Sequence, residues 1–330
     1  MSRNFKIEKA ERRAVPLLVG LMGPSGGGKT YSALRLACGI QRVFPGDIIH
    51  IDTESNRALH YASLFDFKHV PFSEPFGSLD YLEVLQFAAG HNPSVIIVDS
   101  MSHEHSGIGG LIDSQEKELD RMAGDDYAKR QRCQMLAWKK PKSDRRKLID
   151  GLLQMNSNFI FCFRAKESSR PVKKGNKSEV ENFGFMPIAG DEFVFEMTIN
   201  MLLLPHANGV PTWQSDNKGE NMMMKLPEQF RKTFEGKQVQ LDENIGEKLA
   251  LWAKGDKPSK LGETKNNETL PEIKLEQYLL SGNLSDDLKS RAEKALEYLN
   301  QKVEIGDSDR KKIAPLLTEI EAGQHNLGLY

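Results

Sequence analysis

The residues best suited to chemistry lie in one glycine-rich stretch near the start of the sequence. From Gly23 to Thr30 it reads Gly-Pro-Ser-Gly-Gly-Gly-Lys-Thr, which is the spacing of a phosphate-binding loop. Glycines let consecutive backbone N–H groups converge on one anion without Cβ clashes. Lys29 can reach the outer phosphates of a nucleotide, and the Thr30 hydroxyl can bind the magnesium that neutralises them. The predicted nucleotide-binding residues are Gly23, Pro24, Ser25, Gly26, Gly27, Gly28, Lys29, Thr30 and Tyr31.

The segments on either side of this loop have the character needed to position it. Residues 17–22 form a mainly apolar run, which predicts a strand, and residues 31–38 have the composition of a helix. A helix that begins near Gly28 directs its positive dipole end and its unpaired N–H groups at the same anion.

Three further apolar runs, at 47–52, 94–99 and 158–163, predict strands. They are continuous rather than alternating, and helical segments separate them, which is typical of a parallel sheet covered on both faces. The predicted fold class is therefore α/β with a mainly parallel central sheet. Residues 192–204 and 209–214 predict two more strands, which can extend this sheet as an antiparallel hairpin.

Two acidic residues follow predicted strands. Asp99 ends a strand of four consecutive β-branched residues. Since adjacent parallel strands end at the same edge, its carboxylate can support magnesium beside the phosphate loop. Glu54 ends the next strand over and can polarise a water for attack on the γ-phosphate. The alternatives are a solvated strand end for Asp99 and, for Glu54, an interaction with the dipole of a following helix.

Arg164 and Lys166 leave the fourth predicted strand at the same edge. Alternate residues of an extended chain share a face, so both cations can point at one anion. The alternative for Lys166 is an ion pair with Glu167 or Glu54.

These motifs, taken in order, resemble those of RecA-like P-loop ATPases. The resemblance covers roughly residues 15–252 and rests on 23–30, 51–54, 98–100 and a fourth strand with a polar end. It implies a RecA-like P-loop NTPase fold, magnesium-dependent ATP hydrolysis and assembly into a homo-oligomer. It also implies roles for individual residues: Glu54 as catalytic base, Lys29 and Asp99 at the phosphates and metal, and Arg164 with Lys166 responding to the γ-phosphate.

Residues 98–105 and 161–167 look like those of phage and prophage nucleotide-binding proteins labelled "AAA domain", which are similar to Sak-type phage recombinases. The Phe-x-x-Ala string that joins subunits in many recombinases is absent from the sequence, and Phe5-Lys6-Ile7-Glu8 does not match it.

Two basic stretches are candidates for contact with nucleic acid. Residues 129–147 contain nine cations, Lys139 and Lys140 among them, against one acid, with Trp138 between. The second stretch follows the fourth strand in a loop containing proline and glycine, where RecA-like recombinases carry a mobile DNA-binding loop; its cations are Arg170, Lys173, Lys174 and Lys177. Cations beside an aromatic suit single-stranded DNA. The alternative is a solvated helix face with Trp138 in the core.

His103, Glu104 and His105 form a compact polar group. Their spacing is not the His-Glu-x-x-His of zinc sites. Three interpretations remain open: a metal site, a relay of the phosphate state to the following loop, and a hydrogen-bonded loop without such a role.

Composition and length set the domain organisation. The chain has 330 residues, and none of its apolar runs approaches the ~20 residues that span a bilayer. Three widely spaced cysteines favour an intracellular protein, in the cytoplasm of a bacterium or a phage-infected host cell. We predict an ATPase core at 1–253, a linker at 254–271 and a small helical domain with its tail at 272–330.

The helical domain is predicted from spacing. Its middle segment carries an apolar stripe, and Ser285 and Ser308 are candidate N-caps of two helices; the stripe consists of Leu288, Ala292, Ala295, Leu296 and Leu299.

The sequence as a whole favours an ATP-hydrolysing protein that acts on single-stranded DNA in phage-type recombination or annealing. Two alternatives stay open. One is a nucleotide-dependent switch that docks proteins through its helical tail without touching DNA. The other is a helicase or packaging-type motor subunit.

Overall fold

The computed structural model describes residues 6–174, 177–255, 285–300, 312–313 and 315–320. The chain divides into two units, Met1–Lys257 and Pro258–Tyr330, and each is described by itself. Within the described residues, no helix combines the length and the apolar character needed to cross a bilayer.

A seven-stranded sheet forms the centre of the first unit. Its strands are β1 (Leu18–Gly23), β2 (Ile48–Asp52), β3 (Lys68–Pro71), β4 (Val95–Asp99), β5 (Phe159–Lys174), β6 (Lys177–Pro187) and β7 (Ile199–Leu202). The order is β3-β2-β4-β5-β1-β7 with every neighbouring pair parallel, while β6 pairs antiparallel with β5. The predicted α/β P-loop NTPase fold with a mainly parallel sheet is confirmed.

Helices accompany the sheet in the first unit. They are α1 (Lys29–Gln41), α2 (Ser78–Ala89), α3 (Ser102–Ser106), α4 (Leu111–Ala123), α5 (Tyr127–Ala137), α6 (Lys139–Gln154), α7 (Asp191–Phe195), α8 (Lys218–Met223), α9 (Arg231–Phe234) and α10 (Glu243–Lys254). Two 3₁₀ helices lie at Arg57–Tyr61 and Glu228–Phe230.

The strands are apolar throughout because both faces of the sheet are covered. Val19 and Leu21 of β1 belong to one buried cluster, which α1 and α10 cover, whereas Leu18 and Met22 belong to a second, which α2 and α6 cover. Successive side chains of a strand point to opposite faces, so a strand buried on both sides must be a continuous apolar run.

The two predicted strands at 192–204 and 209–214 are largely wrong. Residues 191–195 form α7, because acids in its first turn suit a helix amino end and Phe193 and Val194 enter the second cluster. Only Ile199–Leu202 is a strand, and it runs parallel to β1. In 209–214 the structure has a single bridge, from Thr212 to Leu202.

The antiparallel hairpin lies instead between β5 and β6. Its register pairs Ala165 with Pro187 and continues to Lys174 opposite Lys177. The predicted basic loop at 170–177 is therefore mostly paired strand. The sequence contains a signal for this arrangement, because Gly175 and Asn176 are residue types that favour a two-residue hairpin connection.

The second unit contains α11 (Asp286–Asn300) and further helical residues at 312–313 and 315–320. Ala292 packs in an apolar cluster with Ile313, Leu317 and Ile320, and four of the five predicted stripe residues take part: Leu288, Ala292, Ala295 and Leu296. The predicted cap is also found, since the backbone N–H of Leu288 donates to the Ser285 hydroxyl at 3.4 Å. The Leu299 side chain, Ser308, residues 256–271 of the linker and the tail at 321–330 lie outside the described residues.

One buried residue in the sheet does not fit an apolar core. His50 of β2 is fully buried and packs against the Phe67 ring at 5.6 Å between centroids. Neither of its ring nitrogens has a hydrogen-bond partner within the part of the chain that the structure describes. Burial lowers the pKa of His50 from 6.5 to about 4. The folded state thus holds His50 neutral where an unfolded chain would begin to protonate it.

This burial predicts a pH-dependent stability. Between pH 6.5 and 4 the unfolded chain binds more protons at His50, so the free energy of unfolding falls as pH falls, by at most about 3 kcal/mol. His50→Leu removes this pH dependence. It also removes the unpaired polar atoms, which raises the free energy of unfolding at pH 7 by about 1 kcal/mol. Urea unfolding at pH 7 and pH 5 measures both effects. His91→Gln, at an exposed site, is the control, and equal pH slopes in wild type and His50→Leu would contradict the prediction.

Candidate functional site

The predicted phosphate-binding loop connects β1 to α1. Gly28 precedes the first residue of α1 and has a φ of 87°, a left-handed conformation that favours glycine. At Gly23, the last residue of β1, a Cβ would lie 2.2 Å from the carbonyl oxygen of Leu203. The backbone N–H of Gly27 donates to the Pro24 carbonyl at 3.2 Å, which closes the turn. Conformation and close packing therefore both require glycine in this loop.

Lys29 and Thr30 occupy the start of α1. The Lys29 ammonium lies across the loop and donates to the carbonyl oxygens of Gly23 at 2.9 Å and Pro24 at 2.8 Å. The Thr30 hydroxyl donates to the Asp99 carboxylate at 2.5 Å. This places a hydroxyl and a carboxylate oxygen side by side at the mouth of the loop. Oxygen donors of this kind are what Mg²⁺ prefers, so Thr30 and Asp99 fit the metal that the sequence predicts.

Asp99 reaches Thr30 although its strand does not adjoin β1. The prediction assumed adjacent strands, but β5 lies between β4 and β1. The Thr30–Asp99 hydrogen bond still forms, because α1 packs over the sheet and places Thr30 at the end of β4. Burial raises the pKa of Asp99 to about 6, and the Glu54 charge acts in the same direction, while Thr30 and Lys29 oppose the shift.

Glu54 lies within reach of Arg164, another of the predicted site residues. The Arg164 Nε and Nη2 atoms lie 2.7 Å and 2.6 Å from Oε1 of Glu54. Oε2 of Glu54 is 3.5 Å from Nη1 of Arg57. The Glu54 carboxylate thus contacts arginine side chains.

Asp52 orders the turn that carries Glu54, a role that the sequence reasoning missed. Its carboxylate accepts hydrogen bonds from the backbone N–H groups of Glu54 at 2.7 Å and Ala58 at 3.0 Å, and contacts His69 at 3.2 Å. Between them Ser55 and Asn56 have positive φ values of 59° and 65°. An aspartate two residues before the bonded N–H, followed by residues that tolerate this conformation, is the sequence signal of such a turn.

These groups surround a cleft of about 670 Å³. Tyr31 and Tyr61 line part of the cleft, 5.8 Å apart between ring centroids, and Tyr31 also packs edge-on against Phe65 at 5.4 Å. Most predicted nucleotide residues line the cleft, namely Ser25, Gly26, Gly28, Lys29, Thr30, Tyr31 and Asp99, together with Glu54 and Arg164. Gly23, Pro24 and Gly27 do not line it, because they form the hydrogen-bonded base of the loop.

A family model described as "AAA domain" matches residues 16–193, and this span contains the glycine-rich loop, Glu54, Asp99 and Arg164. The chain belongs to this AAA domain family. The match supports a nucleotide-binding protein of the AAA-type P-loop ATPases. No curated protein matches the chain. The matched span ends before β7 and α10, which complete the sheet and cover α1.

Lys166, unlike the other predicted catalytic residues of this AAA domain, does not line the cleft. Its side chain is exposed, and within the described residues it forms neither of the ion pairs that the sequence left open. After Arg164 the strand pairs with β6 rather than with β1, and in that register Lys166 lies opposite Met186. Its charge acts on His105 instead, where it helps to lower the pKa after burial and Arg145.

Some of the nine cations at 129–147 pair with acids of the same unit, and one of them is buried. Arg145 is 3% exposed and its Nη2 lies 2.5 Å from the carboxylate of Glu104, which also accepts from the Ser78 hydroxyl. Other cations pair with acids, several of them on α4: Arg130 with Glu116 and Asp120, Lys140 with Glu118 at 3.7 Å, and Lys147 with Asp144 at 2.9 Å. Lys139 is exposed, and Trp138 is half-buried.

The β5–β6 hairpin presents the second basic group. Arg170 is exposed, and its guanidinium lies over the Phe183 ring, 5.1 Å from the centroid. Lys173 is also exposed. Acids on β6 offset part of this charge, since Arg170 pairs with Glu181 in the register. The side chains of Lys174 and Lys177 lie outside the described residues.

The group at 103–105 ties α3 to the site. The His103 ring contacts the Thr53 hydroxyl at 2.8 Å, and the Ser102 hydroxyl accepts from the backbone N–H of Arg164 at 2.9 Å. Burial, with Arg164 nearby, lowers the pKa of His103. In the part of the chain that the structure describes, no cluster of three metal-ligand side chains is found. The hydrogen bonds instead connect α3 to the residues that flank Glu54 and to β5.

The burial of Arg145 yields a prediction with a neighbouring control. Arg145→Gln leaves the Glu104 carboxylate buried without its cation, which costs about 3–5 kcal/mol of unfolding free energy. Arg146→Gln, one residue on and exposed, changes stability by less than about 0.5 kcal/mol. Urea unfolding of the two variants beside wild type measures the difference. Equal urea midpoints for the two variants would contradict the prediction and show that Arg145 behaves as a surface cation.

Proposed function

We propose that the chain is a magnesium-dependent ATPase that acts on single-stranded DNA in phage-type recombination or annealing, as a homo-oligomer in the cytoplasm of a bacterium or phage-infected host cell. The observation that carries the ATPase part is the convergence of Lys29, the Thr30–Asp99 pair and Glu54 on one cleft. These are the groups that phosphoryl transfer to water needs: phosphate binding, metal support and a base.

The residue roles follow from their positions. Lys29 and the N–H groups at the start of α1 bind the phosphates. Thr30 and Asp99 hold Mg²⁺, whose charge neutralises the phosphate oxygens. Glu54 orients a water and accepts its proton, and Arg164 stabilises charge on the outer phosphate. Tyr31 and Tyr61 give the nucleoside an apolar wall.

The DNA part of the proposal draws on the β5–β6 hairpin. One strand, β5, carries Arg164 in the cleft and Arg170 six residues later in the hairpin. Arg170 over Phe183, with Lys173 nearby, combines phosphate neutralisation with an aromatic surface, as single strands require. The resemblance to phage recombinases supports the same assignment. Lys139 and Lys140 at the start of α6 form a second candidate contact.

The ATPase proposal makes a direct prediction. Purified protein hydrolyses ATP in the presence of Mg²⁺, and a long single-stranded oligonucleotide stimulates the turnover. Lys29→Ala abolishes nucleotide binding, whereas Glu54→Gln retains it and lowers turnover by about 10²–10⁴-fold, because only the base is lost.

A phosphate-release assay measures the turnover, and exposed Glu83→Gln on α2 is the control for Glu54→Gln. ATP turnover by Lys29→Ala at the wild-type rate would contradict the assignment of this cleft as the ATPase site. Turnover indifferent to DNA would favour the nucleotide-dependent protein switch.

The hairpin makes a separate prediction about DNA. When a protein cation that neutralises one phosphate of a single strand is removed, the slope of log affinity against log salt becomes shallower by about 0.7. Arg170→Gln and Lys173→Gln should each weaken binding to an oligonucleotide and reduce this slope. Lys248→Gln, an exposed site on α10, should change neither. Fluorescence anisotropy across a salt series measures the slopes, and slopes equal to wild type in both hairpin variants would remove the hairpin from the interface.

A further inference from the structure

Arg164 has two possible anionic partners at the cleft, the Glu54 carboxylate and the outer phosphate of a bound triphosphate. We propose that Arg164 is a positioning residue that holds Glu54 in an ion pair, and that a triphosphate frees Glu54 by competing for the same guanidinium. This inference rests on the proposed ATPase function and adds to it a means by which the site distinguishes triphosphate from diphosphate.

The first observation is how fully the Glu54 carboxylate is engaged. Both Nε and Nη2 of Arg164 approach a single oxygen, Oε1, at 2.7 Å and 2.6 Å. The other oxygen faces Arg57 at 3.5 Å. A carboxylate has a limited number of acceptor positions, and those directed at Arg164 cannot also accept from a water. Oε1 can therefore accept a proton from a water only when Arg164 turns away from it.

The second observation is which part of the pair can move. The Arg164 side chain is 43% exposed, whereas that of Glu54 is 14% exposed. The backbone of Glu54 is fixed by the Asp52 carboxylate, and the backbone N–H of Arg164 by the Ser102 hydroxyl. Because both backbones are anchored, separation of the pair requires only a new side-chain rotamer of Arg164.

The third observation is that Arg164 shares the cleft with the phosphate-binding groups. Lys29, Thr30 and Asp99 line the same space. A terminal phosphate offers three acceptor oxygens and more negative charge than a carboxylate, and a guanidinium binds such a group in bidentate fashion. A diphosphate ends one phosphoryl group short of this point. Only a triphosphate can draw Arg164 away from Glu54. Triphosphate binding must therefore offset the free energy of the Arg164–Glu54 pair, whereas diphosphate binding leaves the pair intact.

This competition has a measurable consequence for affinity. A ligand that must break an interaction binds more weakly by the strength of that interaction. Removing the pair should therefore tighten the binding of a triphosphate and leave that of a diphosphate unchanged. For a partly exposed ion pair the expected factor is about three- to tenfold.

The test measures the affinities of Mg·ADP and of a non-hydrolysable ATP analogue, Mg·AMP-PNP, for the full-length chain by calorimetry. Glu54→Asp is the decisive variant, because it keeps the negative charge but is one methylene group shorter, which draws the carboxylate back from Arg164 and weakens the pair. Glu54→Gln removes both the charge and the pair. Glu83→Asp and Glu83→Gln on the exposed face of α2 are matched controls. Circular dichroism checks that each variant is folded.

The expected result is that Glu54→Asp and Glu54→Gln both bind AMP-PNP about three- to tenfold more tightly, with ADP affinity unchanged and no change in the Glu83 variants. A gain in Glu54→Gln alone would show simple charge repulsion and overturn the inference, as would an unchanged AMP-PNP to ADP ratio in both variants. Those results leave the proposed function standing. Failure of folded wild-type protein to bind either nucleotide would instead overturn the proposed function together with this inference.

Discussion

The hydrogen bond from the Thr30 hydroxyl to the Asp99 carboxylate is the contact on which the site depends. It joins the first turn of α1 to the end of β4 across an intervening strand, so it fixes the glycine-rich loop relative to the rest of the sheet edge. Thr30 can occupy this position only because α1 is covered by α10 on one side and the sheet on the other. The helix that supplies the phosphate-binding groups is thus placed by packing that lies outside the loop itself.

A second layer of hydrogen bonds positions the acidic and basic groups around that contact. Asp52 orders the turn of Glu54, and Ser102 anchors the backbone of Arg164. Thr53 connects this turn to α3 through His103 and the backbone of Ser100. These polar groups lie at or just beyond the points where β2, β4 and the parallel part of β5 end, which is where open α/β sheets bind their ligands. The chemistry of the cleft is therefore a consequence of strand order.

Local patterns in the sequence are sufficient to predict the loop, the four central strands β1, β2, β4 and β5, and the fold class. The glycine-rich motif and the continuous apolar runs depend on neighbouring residues only, and the structure confirms the fold that they predict. What could not be predicted depends on distant partners. Arg145 is one cation among nine in its stretch of sequence, yet it is buried because Glu104 lies opposite it. The insertion of β5 between β1 and β4 is likewise a property of the assembled sheet, whereas the β5–β6 hairpin has a local signal at Gly175 and Asn176 that the prediction of a basic loop did not use.

The central claim is that the cleft binds a nucleotide through its phosphates and a magnesium ion. The most direct measurement is the titration of the full-length protein with a fluorescent ADP analogue, with Mg²⁺ and with EDTA, for wild type and Thr30→Val. The account predicts saturable binding by wild type that is tighter with Mg²⁺, and a loss of this magnesium effect in Thr30→Val because the metal loses its hydroxyl ligand. A folded wild-type protein that shows no saturable binding, with or without Mg²⁺, would contradict it.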